Sequence, residues 1–388
     1  MNILAIIPAR GGSKRIPRKN VKDFQGQPII AYSISAALRS GCFSRVMVST
    51  DSEEIAGVAR RYGAEVPFLR SEATANDYAT TADVIREVLN DYERQGERFD
   101  AICCIYATAP FILPYRLSEG RSILEAGHEA AFTCVEYSYP VQRGLEIGAD
   151  GRIAMRWPQY ASSRSQDLTP TYHDAGQFYF CRTNAFRRDG SLWGPDALPI
   201  VLPELEVQDL DTPTDWRLAE IKYSLLAFPA EISLNGFRLA AYPDLSDEIH
   251  QALLAGRNAE DVRKWMVNHN VISAQDHHNF VESLRYRRDK QYYAVFDCDD
   301  RLLGTVNLEW TSPDAMERGI WLSADTRGRG VAKQLLQQLY GWLAENKGVR
   351  KIVTRVHHLN EASIALERTL GARELRQEED FIFYEREL

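Results

Sequence analysis

The chain has no long apolar run. Stretches such as Ile3 to Ile7 fall far short of the roughly 20 residues a membrane-spanning helix needs, so no membrane segment is expected. It also lacks a basic excess. Lys and Arg number 46 against 54 Asp and Glu, a formal net charge of -8. That balance excludes a general nucleic-acid binder. It leaves room for a nucleotide, which needs only a local cluster of cations. Cysteine is sparse: Cys42, Cys103, Cys104, Cys134, Cys181 and Cys298 form no C-x-x-C pair and have no histidine cluster beside them. They read as reduced, mostly buried thiols of a cytoplasmic protein, with no disulfide framework and no zinc site. The first residues show no charged start, apolar stretch and small-residue cleavage site, so no signal peptide is expected. No repeat or low-complexity tract stands out.

What is present is ordinary globular material, 45% hydrophobic and 26% charged over 388 residues. That length points to two domains. Apolar runs and helical spacing alternate through the first half: strands at Asn2 to Pro8, Arg45 to Ser49 and Ala101 to Tyr106, helices at Ile29 to Arg39, Ser52 to Tyr62 and Thr80 to Gln95. Asp51 is the expected N-cap of the second helix. Such alternation implies an α/β domain with a mostly parallel sheet, helices on both faces and a ligand at the carboxyl ends of its strands. Residues 130–180, rich in Tyr, Phe and Val, read as an extended antiparallel arm, and Asp215 to Leu226 as a closing helix. Near Phe228-Pro229-Ala230 the pattern restarts. We place the domains at 1–228 and 229–388. In the second, Ile232 to Ala240 reads as one strand. Helices follow to Leu284, then strands at 292–296, 303–310 and 318–322, the helix Val331 to Asn346, and a further strand, helix and strand.

The segment Arg10 to Asn20 directly follows the first strand. It carries Gly11, Gly12, Ser13 and five cations, Arg10, Lys14, Arg15, Arg18 and Lys19. Glycines allow close approach to a phosphate, exposed N–H groups form an anion nest, and the cations grip phosphate oxygens. Further along, Asp209-Leu210-Asp211 sets two carboxylates at i and i+2, pointing the same way on an extended segment. Paired carboxylates suit Mg²⁺, a hard cation that takes oxygen ligands and bridges phosphates. A helix cap at Asp211 or Thr212 is compatible with the same residues.

Ile7 to Asn20 resembles the signature of the CMP-sugar synthetases, I-P-A-R-G-G-S-K-x-I-P-x-K-N, at every fixed position, and the likeness runs across about residues 1–226. The resemblance implies a Rossmann-like nucleotidyltransferase fold and CTP as cosubstrate. It implies CTP contacts from Arg10, Gly11, Gly12, Ser13, Lys19 and Asn20, with Arg70 and Thr81 at further nucleotide-side positions. It implies Mg²⁺ on Asp209 and Asp211, with Lys19 also in the catalytic set. Tyr106-Ala107-Thr108-Ala109-Pro110 and Asp174-Ala175-Gly176-Gln177-Phe178-Tyr179 resemble the pseudaminic acid branch rather than the sialic acid branch. Tyr106, Asp174, Gln177 and Tyr179 then fall on the sugar side. Arg164 joins them, because an anionic sugar needs a cation for its carboxylate. The family's arm implies a homodimer.

In the second half, Asp325-Thr326-Arg327-Gly328-Arg329-Gly330-Val331-Ala332 links a strand to a helix. Helix N-terminal N–H groups with Arg327 and Arg329 make a pyrophosphate site. The stretch resembles the acetyl-CoA loop of the GNAT acetyltransferases, an α+β fold, and Asn360 with Ser363 resembles the later segment flanking the CoA arm. Leu322, Arg327, Gly328, Arg329, Gly330, Val331, Ala332, Asn360 and Ser363 form the implied acetyl-CoA set. Glu367 stands where many relatives carry a tyrosine that protonates the leaving thiolate. Glu309 is the candidate base. His357 and His358, adjacent in a strand, are expected on opposite sides. Val262-Arg263-Lys264-Trp265-Met266 and Ile272 to Phe280 resemble the pseudaminic acid pathway N-acetyltransferase. The expectation is therefore a bifunctional enzyme. One half loads pseudaminic acid onto CMP from CTP, and the other acetylates a UDP-linked 4-amino sugar. The alternative is a synthetase for legionaminic or sialic acid with a non-catalytic acetyl-CoA-binding domain.

Overall fold

Five apolar residues in succession leave no polar face for water, so Ile3–Pro8 (β1) is dictated to be a central strand. The computed structural model, which describes residues 1–13 and 15–388, buries it on both sides. Ile3, Ala5 and Ile7 face one apolar cluster, Leu4 and Ile6 the other, as the period of two requires. A short hairpin follows, β2 (Asp23–Phe24) and β3 (Gln27–Pro28). Next come α1 (Ile29–Ser40), β4 (Arg45–Ser49), α2 (Glu53–Arg61), α3 (Glu72–Ala75), α4 (Thr81–Arg94), β5 (Ala101–Ile105) and α5 (Pro114–Glu125). The remainder is β6 (Ala130–Glu136), β7 (Leu145–Ile147), β8 (Ile153–Met155), β9 (Tyr172–Arg182), α6 (Thr183–Asp189), β10 (Ala197–Leu202) and α7 (Pro213–Leu226). These elements form one compact unit, 1–226.

Its main sheet has the order β10-β6-β9-β5-β1-β4. β9 runs antiparallel to both neighbours, and the other pairings are parallel. Helices α1, α2 and α5 pack on one face, α4 and α6 on the other. The arm is smaller than the sequence pattern suggests. β6 and β9 belong to the main sheet, and only β7 and β8 form a separate two-stranded ribbon. Tyr, Phe and Val suit any strand, so composition could not separate the two.

Three helix starts explain why nearby loops are fixed. Ser52, not Asp51, caps α2 by accepting the Ile55 N–H. Thr80 and Asp83 form a capping box at α4. Thr212 and Asp215 do the same at α7: the Thr212 hydroxyl accepts the Asp215 N–H at 3.2 Å, and Asp215 accepts the Thr212 N–H at 2.7 Å. Asp215 also accepts the Asp211 N–H at 3.1 Å.

The second unit spans 227–388. It comprises β11 (Glu231–Leu234), β12 (Phe237–Ala241), α8 (Asp247–Asn258), α9 (Glu260–Arg263), α10 (Ala274–Leu284), β13 (Lys290–Phe296), β14 (Leu302–Trp310) and β15 (Ala315–Leu322). Then follow α11 (Val331–Lys347), β16 (Lys351–His357), α12 (Glu361–Thr369), β17 (Arg373–Glu378) and β18 (Phe381–Glu387). The expected single strand at 232–240 is a hairpin turning at Gly236, whose φ is 81°. β17 is exposed along its length, so it lacks the apolar alternation that would have marked it. α11 packs Leu335, Leu336, Leu339 and Leu343 against one sheet face, each worth about 1.5–3 kcal/mol when buried. α8 and α10 cover the other face.

All neighbours in this eight-stranded sheet are antiparallel except β15 and β16. That pair holds register only from Ala315 to Glu317, against Lys351 to Val353. Beyond it the two strands part, and the opening between them carries the second site.

Candidate functional site

In the first unit a cavity of about 580 Å³ opens where β1 and β5 end. Pro8, the last residue of β1, lines it, as does Tyr106, the residue after β5. Arg10, Ser13, Lys19 and Asn20 reach it from the loop after β1, and Arg70 and Thr81 from the α4 side. The loop is held in place by polar bonds. Gly11 N–H donates to Asp51 Oδ1 at 2.8 Å. Asn20 Nδ2 donates to the Arg10 carbonyl at 2.9 Å. A Cβ on Gly11 would stand 3.2 Å from the Ser52 Cβ, so glycine is needed for this close approach, whereas Gly12 faces open space. Asp51 thus anchors the loop instead of capping α2.

The loop cations rest on a frame of carboxylates. Arg10 meets Asp77 at 2.5 Å and Arg15 meets Asp211 at 2.5 Å. Arg18, whose φ of 54° is left-handed, pairs with Glu54. Lys19 Nζ donates to the Leu210 carbonyl at 2.6 Å and lies 3.6 Å from Asp211. Lys14 lies outside the described residues. Exposed pairs of this kind are worth about 0–1 kcal/mol each. A polyphosphate offering several oxygens can therefore draw Arg10 and Arg15 from their present partners at little cost.

Asp209 and Asp211 flank Leu210, which is buried. The described residues bring no third acidic, histidine or cysteine ligand to them. Two carboxylates alone suit a Mg²⁺ that takes its remaining oxygens from a nucleotide and water. Arg70 sits deeper, donating to the Ser49 carbonyl at 2.6 Å, and burial pulls its pKa down.

On the other wall, burial raises the pKa of the Tyr106 phenol, which is hydrogen-bonded to Thr81 and Tyr179. Tyr179 donates to Asp174 Oδ2 at 2.6 Å. Thr81, Tyr106, Tyr179 and Asp174 so form one chain of hydroxyls ending in a carboxylate. Gly11, Gly12, Asp174, Tyr179, Asp209 and Asp211 adjoin lining residues without lining the cavity themselves, and two further sequence candidates stand apart. Gln177 is buried and its Nε2 donates to the Glu206 carbonyl at 2.5 Å, so its amide is used within the fold. Arg164 is exposed after β8 and does not line the cavity. The sequence pattern gave Asp51 only a helix-cap role and Asp77 none, because their roles here depend on partners 40 and 67 residues away.

In the second unit a cavity of about 650 Å³ runs along the start of α11. Leu322, Arg327, Gly328, Gly330, Val331 and Ala332 form one side, with Asn360 and Ser363 from the start of α12. Arg329 is exposed and outside it. Gly328 and Gly330 have φ of 73° and 76°, a left-handed path that other residues adopt with strain. That path leaves the first N–H groups of α11 available to an anion. Arg327 is fixed by the Leu322 carbonyl at 3.0 Å and by Asp261 at 2.6 Å. The Asn360 side chain caps α12 by accepting the Ser363 N–H at 3.2 Å.

A neighbouring cavity of about 360 Å³ fills the opening between β15 and β16 and shares Trp265, Ile320, Trp321 and Leu366 with the first. Glu367 borders it, bonded to Arg318 at 2.7 Å with both side chains buried. Arg318 also donates to the Tyr340 hydroxyl at 3.1 Å. Burial alone would lower the Arg318 pKa, but Tyr340 and Glu367 outweigh it and raise it. Glu367 is therefore the counterion of a buried guanidinium, not a stand-in for a tyrosine acid. Glu309 lines neither cavity and is paired with Lys290 at 2.6 Å. His357 and His358 do not face opposite ways: β16 ends at His357, and the two rings stack with centroids 4.9 Å apart.

Residues 4–136 match the family model for cytidylyltransferases, and residues 239–373 match that for the GNAT acetyltransferase domain. The pseudaminic acid cytidylyltransferase of Campylobacter jejuni is 41% identical over 226 residues, covering 58% of this chain and 97% of its own. The CMP-N,N'-diacetyllegionaminic acid synthase of Legionella pneumophila is 34% identical over 227 residues, covering 57% and 95%. An N-acetyltransferase of Campylobacter jejuni, solved with acetyl coenzyme A, is 16% identical with a TM-score of 0.32, covering 39% of this chain and 98% of that one. The chain belongs to the cytidylyltransferase family through its first unit and carries a GNAT acetyltransferase domain in its second.

Proposed function

We propose that the first unit transfers CMP from CTP to pseudaminic acid, and that the second acetylates the 4-amino group of a UDP-linked 4-amino-4,6-dideoxy altrosamine. The observation that carries the first half is the cleft that gathers Arg10, Ser13, Lys19, Asn20, Arg70 and Thr81 at the ends of β1 and β5. The 41% identity to a pseudaminic acid cytidylyltransferase supports the choice of sugar.

In this reading the sugar's anomeric hydroxyl gives its proton to solvent water, its oxygen attacks the α-phosphorus of CTP, and the bond from that phosphorus to the bridging oxygen breaks to release pyrophosphate. The Arg10–Asn20 loop and Arg70 hold the triphosphate in line. Lys19, beside Asp211, offsets charge that develops on the leaving phosphates. Asp209 and Asp211 would hold Mg²⁺, which when bound supplies Lewis-acid stabilisation of the phosphate oxygens. The Tyr106–Tyr179–Asp174 chain positions the sugar. In the second unit the α11 N-terminus and Arg327 take the pyrophosphate arm of acetyl-CoA, and the cavity between β15 and β16 takes the amino sugar. Cytoplasmic location and a homodimer built through the β7–β8 arm complete the proposal. No helix among the described residues is long and apolar enough to cross a membrane.

The test is direct. The full chain with CTP, Mg²⁺ and pseudaminic acid should release pyrophosphate, and with acetyl-CoA and the UDP-amino sugar it should release thiol. Absence of either product removes that half of the proposal. A second reading has one observation behind it. Because Arg318 engages Glu367, no proton donor stands at that position. This favours a second unit that binds acetyl-CoA without turning it over.

A further inference from the structure

The cavity between β15 and β16 has a second wall, made by α8 and α10. His277 of α10 lines it. Behind His277 stands His250 of α8, with His250 Nδ1 3.3 Å from His277 Nε2. The Tyr242 ring packs against both, at centroid distances of 6.0 and 6.1 Å. Tyr242 is itself fixed: its hydroxyl donates to Thr305 Oγ1 at 3.0 Å, and Thr305 donates onward to the Tyr293 carbonyl at 2.8 Å.

The His250 ring also bonds the Tyr242 backbone carbonyl, which takes an N–H. With that N–H on Nε2, His250 Nδ1 accepts and His277 donates to it from Nε2. Neutral His277 then keeps its lone pair on Nδ1, a nitrogen for which no partner stands among the described residues. The other basic groups bordering this cavity are differently placed. His357 Nδ1 accepts the Leu359 N–H at 3.2 Å, so its ring proton is on Nε2 and it presents a donor. Glu367 is committed to Arg318.

We propose that His277 is the general base of acetyl transfer and that His250 is the positioning residue that sets its tautomer. The proposal rests on the reading that this cavity takes an amine. The acceptor arrives as an ammonium and gives one proton to His277. Its nitrogen forms a bond to the acetyl carbonyl carbon, the carbon–sulfur bond breaks, and the second nitrogen proton goes to the departing thiolate. The products are the amide, coenzyme A thiol and protonated His277, which returns its proton to solvent. Burial pulls the pKa of both rings below the ordinary histidine value, and for His277 the charges of His250 and His278 add to that. At His250, Asp247 opposes the shift, while His278 and Arg285 add to it. Arg257 and Tyr292 also border the cavity. The pair is thus neutral and able to accept a proton near neutral pH.

The experiment follows thiol release by the full chain with acetyl-CoA and the UDP-4-amino sugar, as kcat/KM against pH. The wild type should gain activity as pH rises through a value below the ordinary ~6.5 of histidine. H277Q keeps a donor toward His250 but no base, and should lose roughly 10²–10⁴-fold in kcat. It should also lose the acidic limb and still bind acetyl-CoA. Imidazole added to His277→Ala should restore part of the rate. His250→Asn, a smaller change for folding, should displace the limb. H277Q or His250→Asn with a wild-type rate and profile overturns the proposal alone. A wild type that releases no thiol overturns the acceptor reading, and this proposal falls with it.

Discussion

Asp211 joins two cations of the first site to the helix behind them. It pairs with Arg15, lies 3.6 Å from Lys19 and is joined through its own N–H to the cap of α7. Asp211→Asn keeps the shape and removes the charge. If Asp211 holds Mg²⁺ as proposed, several kcal/mol of transition-state stabilisation go with it, so pyrophosphate release should fall by about 10²-fold or more. Stability should change little, since the pairs it loses are partly exposed. Glu367 is the contrasting case. Glu367→Gln leaves the buried Arg318 without its counterion, and urea unfolding should show a loss of about 3–5 kcal/mol in the second unit. The difference between these residues also explains what could be read in advance. The Arg10–Asn20 loop was legible because its chemistry is contiguous. The Arg318–Glu367 pair was not, because its members are 49 residues apart and neither forms a local pattern.

Elements impose the next constraint. Helix α8 passes over β15 at Gly256, where a Cβ would meet the Trp321 ring at 2.4 Å. Trp321 lines both cavities of the second unit. Gly256→Ala gains about 1 kcal/mol of helix propensity but overpacks this contact at a cost of about 1–3 kcal/mol. It should therefore lower the melting temperature slightly while weakening acetyl-CoA binding through the displaced indole. Calorimetry of unfolding and of binding on the same variant checks both. Helices with clear apolar spacing and caps were legible from the sequence to within a few residues, as at Thr80 and α4, whereas α5 and α6 were not read. Strand membership was not. Which strands share a sheet depends on pairing, and so β6 and β9 were read as part of the arm although they lie in the main sheet. The parting of β15 from β16, where the smaller cavity of the second unit opens, has no sequence signature of its own.

At the scale of the molecule, the chain joins two units with separate cores and separate clefts. If their chemistries are as independent as their cores, Asp211→Asn should leave thiol release from acetyl-CoA at the wild-type rate, and H277Q should leave pyrophosphate release intact. Parallel loss of both activities in either variant would show that the units do not work separately. The central claim concerns which acid sugar receives CMP, with the hydroxyl chain through Tyr106, Tyr179 and Asp174 proposed to hold that sugar. The measurement that tests it most directly is kcat/KM for pyrophosphate release by the full chain with CTP and, in turn, pseudaminic, legionaminic and sialic acids. The account predicts that pseudaminic acid is turned over with the highest kcat/KM of the three. Equal or better turnover of legionaminic or sialic acid would contradict it.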